Sequence, residues 1–418
     1  YISVFLILGY LESRQFQYSS PIDKRKTLTN IYVGFFLILL ISISTTQLSI
    51  KRKKSTFLYA YIVVKNSKIA FGLLSNKHND NKMEEKKPIA KNSNLHKAKK
   101  AKADEFYTQL SDIENECKHY WEHFKGKTIL CNCDDPRVSN FFRYFSLNFE
   151  HLGLKKLIAT CYKNQDADLF STNKSEQAVY LVYEGDKNGD HIPTADEIGV
   201  HPLKGNGDFR SAECIELLKE ADIVVTNPPF SLFREFLAWI IEANKEFIII
   251  GNQNAITYKE VFPLIKENKI WLGVSIHSGD REFRVPESYP LTAAGSRMDE
   301  KGNKYIRVKG IRWFTNIDHG RRHEPLALMS MSDNIKFSKH KEVRNHEYYK
   351  YDNYDAIDIP FTDAIPIDFD GAMGVPITFL DKYNPEQFEI IKFRKGNDEK
   401  DLCINGKCPY FRILIRKK

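Results

Sequence analysis

No methionine precedes Met83, and the chain holds only five in all. Cysteine is sparse as well, with seven residues at positions 117, 131, 133, 161, 214, 403 and 408. An odd, scattered set excludes a disulfide framework and suits a reduced cytoplasm. The spacings of Cys131 with Cys133 and of Cys403 with Cys408 match no familiar zinc pattern, so no metal site is expected. No internal repeat is present, and no low-complexity tract beyond one lysine-rich stretch, which leaves out repeat architectures. What is there describes a folded protein: 42% hydrophobic and 28% charged residues over a length of 418. The net charge of +8 permits a polyanionic partner without requiring one.

Residues 1–82 differ in kind from the rest. An uncharged run of 20 residues, 31–50, lies between Lys24-Arg25-Lys26 and Lys51-Arg52-Lys53-Lys54 and is long enough to span a bilayer. Its polar end (Ser42, Ser44, Thr45, Thr46, Gln47) weakens that reading, and no small-residue cleavage site marks a signal peptide. The segment reads as extraneous upstream sequence, with a membrane-anchor-like segment as the alternative. Residues 83–105 form a basic arm carrying Lys86, Lys87, Lys91, Lys97, Lys99, Lys100 and Lys102, with little to bury. Lys97, Lys99 and Lys100 are placed to lie along phosphates, and a solvated leader is the plainer reading.

From Lys127 the pattern becomes regular. Apolar runs at 128–131, 157–160, 179–183, 223–226 and 247–250 read as strands. Between them, 140–150, 212–219 and 232–243 read as helices, the first capped by Ser139. The expectation is a doubly wound, mostly parallel α/β sheet over residues 106–270, with ligands at the carboxyl ends of its strands. After Lys269 the chain becomes rich in Arg, Tyr, Gly and Pro, which predicts a less regular lobe over 271–418. There Arg281, Arg284 and Arg312 are candidate DNA contacts, since guanidinium groups fork onto phosphates and guanine edges. Structural ion pairing is the alternative for each.

The informative segment runs from Asp222 through Asn227-Pro228-Pro229-Phe230. A buried strand ends in Asn, then in two prolines that fix φ and remove donors, then in an aromatic ring. Such a stiff turn suits methylation of an exocyclic amine. The adenine N6 lone pair is delocalised into the ring, so the amine is a poor nucleophile. The Asn227 side-chain oxygen and the Pro228 carbonyl can accept its two hydrogens and turn the lone pair toward a methyl donor, so positioning replaces a strong base. Phe230 would stack on a flipped base. Supporting pieces are Asp208 and Phe209 before the helix at 212, placed to meet a cofactor's adenine, and the turn Asn132-Cys133-Asp134-Asp135 after the first strand.

At these residues the chain resembles the EcoRI-type adenine-specific DNA methyltransferases. The resemblance rests on 131–141 (CNCDDPRVSNF), 207–211 (GDFRS), 222–232, 256–262 (ITYKEVF), 374–381 (GVPITFLD) and 405–415, and runs from about Asn92 to the C-terminus. It implies a cytoplasmic enzyme of a restriction–modification system with a Rossmann-like fold and a C-terminal DNA-recognition lobe. The implied reaction uses S-adenosylmethionine to methylate N6 of a flipped adenine in double-stranded DNA, with GAATTC as a hypothetical target. The implied partner is a cognate restriction endonuclease acting without direct contact, with no obligate protein partner. Carried over, Asn227 to Phe230 is the catalytic turn, and Asn132 to Asp135 faces the cofactor. Two features depart from the general methyltransferase pattern: no glycine-rich loop follows the first strand, and Thr160-Cys161-Tyr162 stands where a ribose-binding acid is usual. Residues between about Gly273 and Lys350 are least similar to the family and are where base-reading residues are sought. Related motifs serve RNA and protein-glutamine methylation, and residues 31–50 suggest a rival from another class, a non-catalytic membrane-tethered DNA-binding protein.

Overall fold

Short apolar runs, each closed by turn residues, become the strands of the structure. It is a computed structural model that describes residues 106–133, 139–160, 178–190, 192–277, 280–286, 289–291, 295–408 and 411–418. The chain divides into two units, Tyr1–Ile89 and Ala90–Lys418, and everything described belongs to the second. The apolar run at 31–50 lies outside the described residues, as do Lys97, Lys99, Lys100, Asp134 and Asp135. Among the described residues no helix is long and apolar enough to cross a membrane.

Helices α1 (Leu110–Cys117) and α2 (Trp121–Phe124) precede β1 (Thr128–Cys131). Helices α3 (Asn140–Leu147) and α4 (Phe149–Leu152) follow, then β2 (Lys156–Thr160). Ser139 caps α3 by accepting from the Phe141 N–H at 3.2 Å. The helix expected over 140–150 breaks at Asn148, whose side chain donates back to the Tyr144 carbonyl. Strands β3 (Val179–Tyr183) and β4 (Gly199–Pro202) come next. Then α5 (Ala212–Glu220), β5 (Ile223–Thr226), α6 (Phe233–Glu242) and β6 (Glu246–Asn252) alternate. The remainder holds α7 (Phe262–Lys266), β7 (Trp271–Leu272), β8 (Asp280–Val285), β9 (Arg297–Met298), β10 (Lys304–Lys309) and β11 (Ile311–Thr315). It closes with α8 (Met331–Phe337), β12 (Ala356–Asp358), β13 (Ala372–Pro376), β14 (Phe388–Phe393) and β15 (Arg412–Lys417).

The large sheet has the order β4-β3-β2-β1-β5-β6-β11-β7. Its centre, β2-β1-β5-β6, is parallel. Both flanks are antiparallel, so the sheet is mixed rather than mostly parallel. On the β4 side burial gives a reason. Every residue of β1 and β5 is buried, as a strand covered on both faces requires, whereas no residue of β4 is. Alternate residues of the central strands enter different cores. Leu130, Val224 and Ile249 pack with Leu218 of α5 and Phe236 and Ile240 of α6. Ile129, Val225 and Ile248 pack with Ile113 of α1 and Phe141 and Phe145 of α3. Strands β7 and β11 come from beyond residue 270, where the composition changes, yet both belong to this sheet. Two smaller sheets follow, β8-β10-β9 and β12-β13-β15-β14. Cys403 and Cys408 are joined as a disulfide, contrary to the expectation of unpaired cysteines, because the turn at Asn405-Gly406 brings them side by side. Cys117 and Cys214 carry free, buried thiols.

Two buried charges tie the elements together. Glu116 of α1 is wholly buried and accepts from the Tyr120 hydroxyl at 2.8 Å, the Val274 and Ser275 N–H groups at 2.8 and 2.7 Å, and the Ser275 hydroxyl at 2.5 Å. Gly273 sits against it because a Cβ there would overlap Glu116 and Trp313. The second is Arg312 on β11. Expected at a DNA surface, it is 2% exposed, with Nε 3.3 Å from Asp381 and Nη1 donating to the Ile311 carbonyl. A side chain removed from water in this way belongs to an interior ion pair. Burial pushes Asp381 up to about 6 and lowers Arg312, so on both partners desolvation outweighs the attraction between them.

Replacing Glu116 by Ala strands several buried donors and is expected to lower the unfolding free energy by roughly 3 kcal/mol in urea titration; a loss under about 1 kcal/mol would show that residues 273–275 hold themselves. Asp381 ionises near 3.8 when unfolded and near 6 when folded, so its favourable contribution is complete below pH 4 and lost as the pH rises through 6. Wild type is therefore expected to gain up to about 3 kcal/mol relative to Asp381→Asn between pH 8 and pH 4. A pH-independent difference between the two would contradict the assignment.

Candidate active site

Strand β5 is fixed at its start. The Thr128 N–H donates to the Asp222 carboxylate at 2.8 Å, and the Asp222 N–H donates to the Thr128 carbonyl at 2.8 Å, which aligns β5 with β1. At the other end Thr226 is fully buried and its hydroxyl donates to the Asn132 carbonyl, joining the carboxyl ends of the same two strands. The chain then turns through Asn227, Pro228 and Pro229 into a short 3-10 turn, Phe230–Leu232, and α6. The prolines contribute carbonyls and no N–H groups, so the turn is rigid and rich in acceptors.

Asn227 is 5% exposed. Its Nδ2 donates to the Phe106 carbonyl at 2.6 Å, while its Oδ1 is buried and has no partner. A carbonyl only accepts, so this contact decides which end of the amide is committed. Asn132, after β1, repeats the pattern: it is buried and its Oδ1 has no partner. Thr108 is buried too, with an unpartnered hydroxyl, and its carbonyl accepts from Asn140 at the start of α3 at 2.7 Å. Three buried polar atoms thus lie on three segments linked to one another around the ends of β1 and β5. A buried polar atom without a partner costs about 1–3 kcal/mol, so this grouping marks a candidate binding site. Cys133 adopts φ 77°, the left-handed conformation for which glycine is usual, so the turn after β1 is sharp although no glycine-rich loop is present.

Phe230 is 6% exposed, its ring centroid 5.4 Å from Phe106 and 6.4 Å from Phe283 on β8. Tyr107 and Arg284 exchange backbone hydrogen bonds at 2.9 and 3.1 Å, which brings β8 alongside the turn. Arg284 faces solvent opposite Tyr305, and exposed Arg307 stands opposite Glu282 on the same face. Arg281 lies on the other face, half-buried, with Nε 3.6 Å from Asp112. Of the three expected DNA contacts, Arg284 is at the surface beside the turn, Arg281 is partly withdrawn, and Arg312 is interior.

Asp208 and Phe209 form a separate group. Arg210 holds Asp208 through Nε at 2.8 Å and Nη2 at 2.7 Å, which keeps the carboxyl below its ordinary range, and continues to Glu235 at 2.9 Å. Phe209 packs edge-on against Phe236 and Trp239 of α6. No hydrogen bond among the described residues links this pair to Asn227. Sequence reasoning missed Phe106, Thr108 and Thr226. Only the position of Phe106 and Thr108, directly after the lysine arm and before a helix, offered a signal. Among the described residues no group of His, Cys, Asp and Glu is arranged to hold a metal ion.

Comparison with known proteins gives the family. The family described as "Adenine-specific methyltransferase EcoRI" matches residues 94–418. Type II methyltransferase M.EcoRI of Escherichia coli is 56% identical over 330 residues, covering 79% of this chain and 98% of that protein. Type II methyltransferase M.MpnI of Mycoplasma pneumoniae is 40% identical over 342 residues, and M.MgeORF184P of Mycoplasma genitalium 38% over 342, each covering 78% of this chain and 98% of the relative. No solved structure matches. A rigid Asn-Pro-Pro-Phe turn at the end of a buried strand, and a match through nearly all of the chain beyond residue 93, lead to one assignment: the chain belongs to the EcoRI family of adenine-specific methyltransferases.

Proposed function

We propose that this enzyme transfers a methyl group from S-adenosylmethionine to N6 of an adenine flipped from duplex DNA, within GAATTC. The observation that carries the reading is the buried Asn227 amide, committed through Nδ2 and open through Oδ1 at the carboxyl end of β5. S-adenosylmethionine supplies an electrophilic methyl on a sulfonium. The protein's part is positioning. Asn227 Oδ1 and the Pro228 carbonyl accept the two N6 hydrogens, the lone pair on nitrogen points away from the ring plane, and no base is needed to start the transfer. Phe230 stacks on the flipped base and is itself braced by Phe106 and Phe283.

The residues present suit such a donor. Asn132 offers a buried, unpartnered oxygen beside β1, next to Cys133 and to Asp134 and Asp135, and Asp208 and Phe209 would bound its adenine end. The fold is then a Rossmann-like, doubly wound methyltransferase core over about 106–270, completed by β7 and β11, with recognition elements drawn from the rest of 271–418 and a basic arm over 83–105. On the DNA side, Lys97, Lys99, Lys100, Arg281 and Arg284 contact phosphates or bases; Arg312 does not. The enzyme acts in the cytoplasm beside a cognate endonuclease that shares its target, without contact between the two.

The test is transfer of tritium from labelled S-adenosylmethionine to unmethylated plasmid DNA, followed by nucleoside analysis. Label is expected in N6-methyladenine at GAATTC; label in RNA or protein only, with DNA unlabelled, would overturn the reading. Asn227→Ala is expected to retain DNA binding and to lose roughly 10²–10³ in kcat, since one positioned hydrogen-bond partner is commonly worth that much. Unchanged turnover would rule out the role given to Asn227.

A further inference from the structure

We infer that Phe106 is a positioning residue: its carbonyl fixes which atom of the Asn227 amide faces the substrate, and residues 106–108 tie that choice to β8. The inference rests on the function proposed above. An asparagine amide is nearly symmetric in shape, so turning it by half a revolution exchanges oxygen for NH2 at almost no steric cost. Only the oxygen can accept a hydrogen from N6. The Phe106 carbonyl, 2.6 Å from Nδ2, removes the ambiguity, because the reversed amide would set two acceptors against each other.

The carbonyl is itself immobilised. Phe106 is 4% exposed, and its ring lies 5.4 Å from Phe230, 5.9 Å from Phe283 and 6.3 Å from Tyr289. Tyr107 is bonded through both backbone groups to Arg284. The Thr108 carbonyl is held by Asn140. Three consecutive residues are therefore fastened to the catalytic turn, to β8 and to α3. Strand β8 carries Arg284 on its solvent face, so the segment that orients the amide is bonded directly to a strand placed to meet DNA.

This arrangement separates asparagine from aspartate in a way that a merely structural role for Phe106 would not. In Asn227→Asp a carboxylate would face the fixed carbonyl with no proton to give it. Protonation restores both functions, a donor to Phe106 and an acceptor for N6. The described titratable side chains on the surrounding segments include Tyr107, Cys131, Cys133, Tyr289 and, on β8, Asp280, Arg281, Glu282 and Arg284; Glu282 is engaged by Arg297 at 2.8 Å. All are shared with wild type, which serves as the baseline.

The experiment measures single-turnover methylation of duplex DNA by the full chain between pH 5 and pH 8. Asn227→Asp is expected to be nearly inactive at pH 8 and to gain at least tenfold relative to wild type as the pH falls. Phe106→Ala, which loosens the segment, is expected to lower kcat about tenfold while leaving the DNA dissociation constant unchanged, and Phe106→Tyr to restore most of the rate. An Asn227→Asp protein that is folded, binds DNA and shows no gain on acidification would overturn the inference, as would a Phe106→Ala protein with wild-type kcat. If wild type itself transfers no methyl group to DNA, the proposed function fails first, and the two failures are told apart by that control.

Discussion

The proposed chemistry depends on one hydrogen bond, the Asn227 amide donating to the Phe106 carbonyl. It requires β5 to end at a fixed height, which the two-bond clamp between Asp222 and Thr128 and the Thr226–Asn132 contact provide. It requires a turn that cannot relax, which two prolines provide. It also requires a stationary carbonyl, supplied by residues 106–108 under the joint hold of α3, β8 and the ring of Phe230.

Electrostatics divides the molecule into places where burial is matched and places where it is not. Glu116 is matched in full, with its carboxylate taking four hydrogen bonds, and its role is to hold α1 against the chain after β7. The Arg312–Asp381 pair is matched loosely, and burial dominates both partners. The atoms left unmatched among Thr108, Asn132 and Asn227 all gather at the carboxyl ends of β1 and β5. Unsatisfied burial is costly, and these three atoms lie where an α/β sheet binds its ligands.

Much of this was legible in the sequence where the signal is local. The four central strands, the cap at Ser139 and the Asn-Pro-Pro-Phe turn follow from apolar runs and their closing residues. The direction of β3 and β4 was not, because strand direction is a property of pairing, and β4 has too little buried surface to announce it. Neither was the insertion of β11 between β6 and β7, which reaches across the arginine-rich stretch that had suggested a separate lobe. Arg312 shows the same limit. In the sequence it is one arginine among several, and only the fold shows that β11 is buried along its whole length, with Arg312 against Asp381. Phe106 contributes a backbone carbonyl, which no side-chain pattern can reveal.

The most direct test of this account is the crystal structure of the protein with a duplex containing GAATTC and a non-reactive analogue of S-adenosylmethionine. The account predicts one adenine out of the helix, its N6 within about 3 Å of Asn227 Oδ1, with Nδ2 still on the Phe106 carbonyl. An adenine that meets Nδ2 instead, or an Asn227 amide that has left Phe106 to reach the base, would contradict it.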